Sequence, residues 1–174
     1  CRVTVIPPGT GFAKLRELSP DGVLLSNGPG DPAVVTDVVA LAQEVLGKYP
    51  VLGICLGHQM LGLAAGAKTY KLKFGHHGAN HPVQETSTGR IEITSQNHGF
   101  AVDGDSLSRV AGARYGKVLA SHVHLSDGTL EGFALPDVFA TAIQFHPEAA
   151  PGPHDSSVIF KEFVECIRKK SSKK

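Results

Sequence analysis

Val51-Leu52-Gly53-Ile54-Cys55-Leu56-Gly57-His58-Gln59-Met60-Leu61 is the stretch on which the reading of this chain turns. Its first four residues are a continuous apolar run, the pattern of a central strand covered on both faces. A helical run follows and ends at Gly66. Between them Gly53-x-Cys55-x-Gly57 has the spacing of a nucleophile elbow, in which small residues flanking the nucleophile permit a strained strand-to-helix turn. At a helix N-terminus the dipole is expected to favour the Cys55 thiolate, and the Leu56 N–H is free to bind an oxyanion. The alternative is a buried structural cysteine at a Gly-rich strand end.

Working outward from the elbow, the first third alternates strand-like and helical runs, the βαβ rhythm of a mostly parallel sheet covered by helices. Arg2–Ile6 and Gly22–Leu25 read as strands. After the turn Asn27-Gly28-Pro29-Gly30-Asp31-Pro32, apolar residues at Val34, Val35, Val38, Ala42, Val45 and Leu46 recur at helical spacing. Asp31 is the candidate N-cap, Pro32 stands at N1, and Gly47 and Pro50 end the helix. From Lys68 the runs Thr69–Leu72, Arg90–Thr94, Leu119–Val123, Leu130–Ala134 and Phe139–Gln144 are separated by turns without a helical pattern, which predicts partly antiparallel strands. Val158–Ile167 closes the chain as an amphipathic helix. The predicted fold class is therefore α/β, an open, mostly parallel sheet flanked by helices with an added antiparallel region.

The chain has 174 residues, enough for one domain with a continuous core. Hydrophobic residues at 41% and charged residues at 19% exclude disorder. A net charge of +1 gives no basis for nucleic-acid binding or an acidic membrane surface. The basic cluster Arg168, Lys169, Lys170, Lys173 and Lys174 reads as a solvated helix end. Cys1, Cys55 and Cys166 are an odd set without paired spacing, which points to a reducing compartment. No apolar stretch approaches the ~20 residues of a membrane span. The chain starts without Met inside a strand-like run, which suggests a piece of something longer.

A thiol attacking an amide needs a base that can also protonate the leaving amine, and a group to orient that base. His146 directly follows the apolar run 139–145 at a predicted strand end, where α/β proteins place their sites, and Glu148 lies within reach of its ring. Gly30, in the turn after a strand, is placed to offer a second oxyanion N–H facing Leu56. A phosphate loop is disfavoured because no Gly-Lys-Ser/Thr follows. His76, His77 and His81 invite a metal reading, but without a fourth ligand at a fixed offset they read as a polar loop, and no metal is expected. His58, His122 and His124 need only structural roles.

Gly53–Gln59, Phe145-His146-Pro147-Glu148 and the 27–32 turn together resemble the class I (triad) glutamine amidotransferases. Within that superfamily, Lys73–Pro82, Ser95–Val102 and Pro147–Asp155 are similar to the small, glutamine-hydrolysing subunit of carbamoyl-phosphate synthases, and the likeness covers essentially the whole chain. The resemblance implies a flavodoxin-like fold, with Cys55 as nucleophile, His146 as acid/base and Glu148 as its partner. It makes Gly30 and Leu56 the oxyanion donors and lines a glutamine pocket with Gly28, Gln59, Asn97, Gly99 and Phe100. It further implies ammonia release from L-glutamine through a γ-glutamyl thioester, for carbamoyl phosphate made by a large synthetase subunit in pyrimidine and arginine biosynthesis. ATP and magnesium are expected only on that partner, with no cofactor in this chain, no nucleic acid, no membrane, and a cytoplasmic location. By the same comparison residues 1–174 form one amidotransferase domain lacking the family's first strand and helix and its N-terminal domain, and Gly112–Ala120 is a surface loop elaboration. The alternatives are the amidotransferase subunit of another synthase, another thiol hydrolase such as a cysteine peptidase, and a non-catalytic regulatory homologue.

Overall fold

The computed structural model describes residues 1–149 and 154–172, without the side chain of Asp155. Residues 150–153 of the Pro147–Asp155 motif, and Lys173 and Lys174 of the basic tail, lie outside the described residues. The first half of the chain runs α1 (Phe12–Glu17), β1 (Val23–Leu25), a single 3-10 turn at Pro32–Val34, α2 (Thr36–Val45), β2 (Val51–Ile54) and α3 (Leu56–Ala64). Then follow β3 (Thr69–Glu85), β4 (Ile91–Val102), α4 (Gly104–Tyr115), β5 (Leu119–His124), β6 (Leu130–Leu135), β7 (Ala140–Ile143) and α5 (Val158–Ser171).

Seven strands among the described residues form one sheet in the order β1-β2-β7-β6-β4-β3-β5. Only β1–β2 and β2–β7 are parallel. The remaining pairings are antiparallel, and β5 also pairs with β6, so that β6, β4, β3 and β5 close into a small barrel. The α/β class stands, but the sheet is not mostly parallel. A parallel pair needs a crossover of a dozen or more residues, usually a helix, and the short links between β3 and β4 and between β5 and β6 permit only hairpins.

Three further expectations are corrected. Arg2–Ile6 forms no strand, and Val3 and Val5 are 78% and 89% exposed. Alternating apolar residues make a strand only when a neighbour completes the hydrogen-bond ladder, and no described strand pairs with the outer edge of β1. The region 104–115, read as part of a helix-free meander, is α4, and of the loop expected at Gly112–Ala120 residues 112–115 belong to that helix and Leu119 and Ala120 to β5. Its start is built by Asp103, whose carboxylate accepts from the N–H groups of Asp105 and Ser106, while Leu107 and Ala111 bury its inner face. Asp31 does cap, accepting from Ala33 N–H at 2.9 Å, but it caps the 3-10 turn and the α-helix begins only at Thr36.

The parallel half is covered on both faces, as the apolar run in β2 requires. Val51 packs with α2 and α3 through Val45, Met60 and Leu61, whereas Leu52 and Ile54 meet Ile143, Phe145 and Ile159 of α5. His58 is fully buried on α3 against Phe133, ring centroids 5.1 Å apart, and burial pushes its pKa down to about 3. It is a neutral core residue, in the structural role expected of it. The barrel interior is polar instead. β4 turns Glu92, Thr94, Gln96 and His98 inward and leaves Ile91 and Ile93 56% and 42% exposed.

Two glycines test this packing. A Cβ built on Gly57 lies 2.0 Å from the Leu25 carbonyl oxygen, where neither backbone can give way. Gly57→Ala is expected to lower the urea midpoint by the equivalent of ~1–3 kcal/mol or more. In α4, a Cβ on Gly112 meets nothing nearer than Val118 at 3.9 Å. Gly112→Ala should therefore raise stability by ~0.5–1 kcal/mol, and a loss there would show that 104–115 is not helical in solution.

Candidate active site

The parallel strands β1, β2 and β7 all deliver their carboxyl ends to one place, the crevice where open α/β sheets bind ligands. β1 runs into the Asn27–Gly30 turn, β2 into Cys55, and β7 through Gln144 and Phe145 into His146. Two backbone bonds hold these ends: Cys55 N–H donates to Ile143 O at 2.9 Å, which ties the elbow to β7, and His146 N–H donates to Ser95 O at 2.9 Å, which ties the end of β7 to β4.

Cys55 occupies the expected elbow. Its φ of 52° with ψ of −104° is a conformation that a residue with a side chain rarely adopts and that costs about 1–3 kcal/mol. A Cβ on Gly53 would sit 2.6 Å from Gly57 O, so both small neighbours are required by close approach of helix to strand. The thiol is 4% exposed, with Sγ 4.0 Å from the Asn97 carbonyl oxygen. Here an expectation fails. Burial pushes the Cys55 pKa up to about 11, outweighing the Leu56 N–H that faces the sulfur, and the charge of Glu148 pushes the same way. The resting group is a thiol, because desolvation of an anion outweighs what one helix end returns.

His146 Nδ1 lies 2.8 Å from Glu148 Oε1. Since a carboxylate only accepts, the ring donates from Nδ1, and in the neutral ring Nε2 is left as the basic nitrogen. That atom is buried and has no partner among the described residues. A cavity of about 450 Å³ opens beside it, lined by Gly28, Gly30, Cys55, Gln59, Asn97, Gly99, Phe100 and His146. All the residues expected in the site are thus gathered except Leu56, which presents its N–H to the sulfur from below, and Glu148, which stands behind His146. Gly30 has a φ of 103°, open to glycine, and its N–H has no partner among the described residues.

Gln59 plays a part that was not foreseen. Its side-chain nitrogen donates to Phe100 O at 2.7 Å and to Gln144 Oε1 at 3.0 Å, which ties α3 to β4. Asn27, Pro29, His77 and His98 also line the cavity and were not singled out as site residues. His77 Nδ1 lies 3.0 Å from Asn97 Oδ1. The signal for His98 was its place between Asn97 and Gly99 on β4, since all three line the cavity.

Comparison with known proteins accords with this geometry. The model of the class-I glutamine amidotransferase family matches residues 1–166. The chain belongs to that family. It is 55% identical over 169 residues to the carbamoyl phosphate synthase small chain of Solidesulfovibrio magneticus, an alignment covering 97% of this chain and 43% of that one. It is 49% identical over 169 residues to the chloroplastic carbamoyl phosphate synthase small chain of Arabidopsis thaliana, covering 97% and 38%. The chain therefore spans about two-fifths of the length of these curated relatives. Among solved structures, a Thermoplasma acidophilum protein described as belonging to a GMP synthase superposes with a TM-score of 0.73 at 22% identity, over 90% of this amidotransferase chain and 78% of that chain, a likeness of fold. No helix among the described residues is long and apolar enough to cross a membrane.

The raised thiol pKa has a direct consequence. With only a small thiolate fraction near neutrality, alkylation of Cys55 by iodoacetamide should climb about tenfold per pH unit from roughly pH 7 to roughly pH 10. Mass analysis of the Cys55 peptide separates it from exposed Cys1. A rate that levels off near pH 7 would instead show a preformed thiolate.

Proposed function

We propose that this amidotransferase domain is the glutamine-hydrolysing part of a carbamoyl-phosphate synthase small subunit. The reading rests above all on the His146–Glu148 pair, which leaves a buried, unpartnered Nε2 on the wall that carries Cys55. Two curated relatives of that name at about half identity support the choice of synthase. L-Glutamine enters the cavity with its α-amino and α-carboxylate groups held among Gly28, Gln59, Asn97, Gly99 and Phe100. Its side-chain amide then lies against the sulfur.

As Sγ attacks the amide carbon, the thiol proton passes to His146 Nε2, so no free thiolate has to persist in the buried site. The carbonyl electrons move to oxygen, where the N–H groups of Leu56 and Gly30 hold the developing charge. Glu148 keeps Nδ1–H in place and stabilises the imidazolium. Collapse of the tetrahedral adduct breaks the C–N bond, and His146 returns the proton to the leaving nitrogen, releasing ammonia and leaving a γ-glutamyl thioester. A water molecule, deprotonated by the same Nε2, attacks that ester, and glutamate leaves as Sγ regains its proton. Ammonia then passes to a large synthetase subunit, which holds ATP and magnesium, in the cytoplasm, for pyrimidine and arginine biosynthesis.

Ammonia release from glutamine, measured with the synthetase subunit present, tests the assignment. Cys55→Ala should abolish it, a loss on the order of 10⁶-fold as for removal of a nucleophile from a triad. His146→Asn should cost more than Glu148→Gln, because the base carries the proton and the carboxylate only orients it. Losses in the opposite order would exchange the two roles. A further expectation concerns coupling: adding the large subunit, bicarbonate and ATP should accelerate hydrolysis, since ammonia made without its acceptor is wasted. A rate indifferent to all three would identify an uncoupled thiol hydrolase.

A further inference from the structure

The barrel interior assembles a set of side chains that the glutamine chemistry does not use. His76 of β3, His98 of β4 and Glu131 of β6 converge there, with residue exposures of 7%, 5% and 0%. His76 Nδ1 lies 3.2 Å from His98 Nε2 and 3.3 Å from Glu131 Oε1, and His98 Nε2 lies 3.7 Å from the same Oε1. Glu131 Oε1 is buried and, despite those approaches, has no partner in hydrogen-bond geometry. An uncompensated carboxylate oxygen in an interior is costly, and such atoms normally coordinate a metal or pair with a cation.

We propose that His76 Nδ1, His98 Nε2 and Glu131 Oε1 form a binding site for a divalent zinc-type cation that cross-links β3, β4 and β6. Bonds of ~2.0–2.1 Å in tetrahedral geometry place ligand atoms roughly 3.3–3.4 Å apart, close to the three separations present. Two imidazoles with one carboxylate select zinc and its transition-metal neighbours over calcium or magnesium.

The atoms behind the ligands are arranged as such a site requires. His98 Nδ1 lies 2.8 Å from the Phe100 carbonyl, which can only accept, so in the neutral ring the proton is on Nδ1 and Nε2 carries the lone pair. His76 Nε2 donates to Asp127 Oδ2 at 2.9 Å, which frees Nδ1 in the same way. The other oxygen of Glu131 accepts from Gln96 Nε2 at 2.7 Å, so Oε1 is the one left over. A fourth position is left for water, and the far end of the Gln96 amide, Oε1, is likewise buried without a partner.

A neighbouring trio, His76, His124 and Asp127, is less apt. His124 Nδ1 already accepts from Ser126 N–H and its Nε2 faces His81 Nδ1 at 3.0 Å, while both Asp127 oxygens are engaged, by His76 and by Thr129 N–H. The histidines at 76, 77 and 81, expected in a polar loop, stand instead on strand β3, paired with β4. His76 joins ligands contributed by other strands, which spacing along one segment could not reveal.

The test measures zinc binding to the chelator-stripped whole chain by competition with a chromogenic chelator, with Co²⁺ as the spectroscopic probe. One Zn²⁺ per chain is expected, weakened by roughly 100-fold or more in Glu131→Gln, which keeps the shape and removes the anionic ligand. Asp127→Asn should cost about 10–100-fold, the usual effect of disturbing a group that orients a ligating histidine, and His124→Gln should change nothing. Co²⁺ in the unaltered protein should give the intense visible bands of four-coordinate nitrogen and oxygen ligation, and this readout stands even if Glu131→Gln fails to fold. Absence of stoichiometric binding, equal affinity in Glu131→Gln, a weak six-coordinate Co²⁺ spectrum, or a loss in His124→Gln as large as that in Glu131→Gln would each overturn the assignment.

Discussion

The close approach of α3 to the ends of β1 and β2 is the constraint on which the rest of this molecule depends. Gly57 lies so near the Leu25 backbone, and Gly53 so near Gly57, that no side chain fits at either position. Cys55, caught between them, takes a positive φ that costs about 1–3 kcal/mol in isolation. The cost is met by burial on both faces of β2, where Val51, Leu52 and Ile54 are almost wholly removed from water. Because the helix begins immediately after the elbow, the Leu56 N–H faces the sulfur. One turn later, Gln59 falls where its amide reaches Phe100 and Gln144. Loosening this contact would misplace the Cys55 sulfur, the Leu56 N–H and the Gln59 clamp on the opposite wall together.

Burial also settles how the thiol is held. A helix N-terminus favours an anion, but within a nearly closed site the loss of water outweighs it, and Glu148 adds like charge. The proton therefore stays on sulfur until a base is positioned to take it. His146, with one nitrogen engaged by Glu148 and the other bare, has the geometry that the proposed base requires. A sulfur protonated at rest is a poor target for adventitious electrophiles, and in the proposed reaction its activation waits for an amide that receives the same proton.

Much of this could be read from the sequence, and the parts that could not share a cause. The elbow, the Asn27–Gly30 turn, β2 and α5 are encoded locally, by glycine spacing, capping chemistry or a long apolar period, and each stands where it was expected. The strand at Arg2–Ile6 was not local in this sense, because its pattern was right but its ladder needed a partner. α4 was obscured because glycines at 104, 112 and 116 weaken a helical pattern, whereas the two backbone N–H groups bound by Asp103 start a helix. On β4, alternation was legible but the buried face was not. Isoleucines 91 and 93 would ordinarily mark the core side, yet the barrel takes Glu92, Thr94, Gln96 and His98, because polar partners from β3 and β6 wait there. The thiol pKa likewise depends on how completely distant strands exclude water.

The two kinds of sheet in this fold divide the work of the site. The parallel strands end together and supply the sulfur, the imidazole and the Asn27–Gly30 turn, each from a strand terminus. The antiparallel barrel supplies the facing wall through β4, whose residues alternate between the two compartments. Asn97 and Gly99 line the cavity, Gln96 looks into the barrel, and His98 touches both. The Phe100 carbonyl is the junction, accepting from Gln59 on the cavity side and from His98 on the barrel side. The same oxygen thus ties the barrel histidine His98 to Gln59, and Phe100 itself lines the cavity. In this geometry the polar interior of the barrel is the support of the cavity wall, which gives a physical reason for a barrel core built from histidine, glutamine and glutamate where leucine would have packed more cheaply.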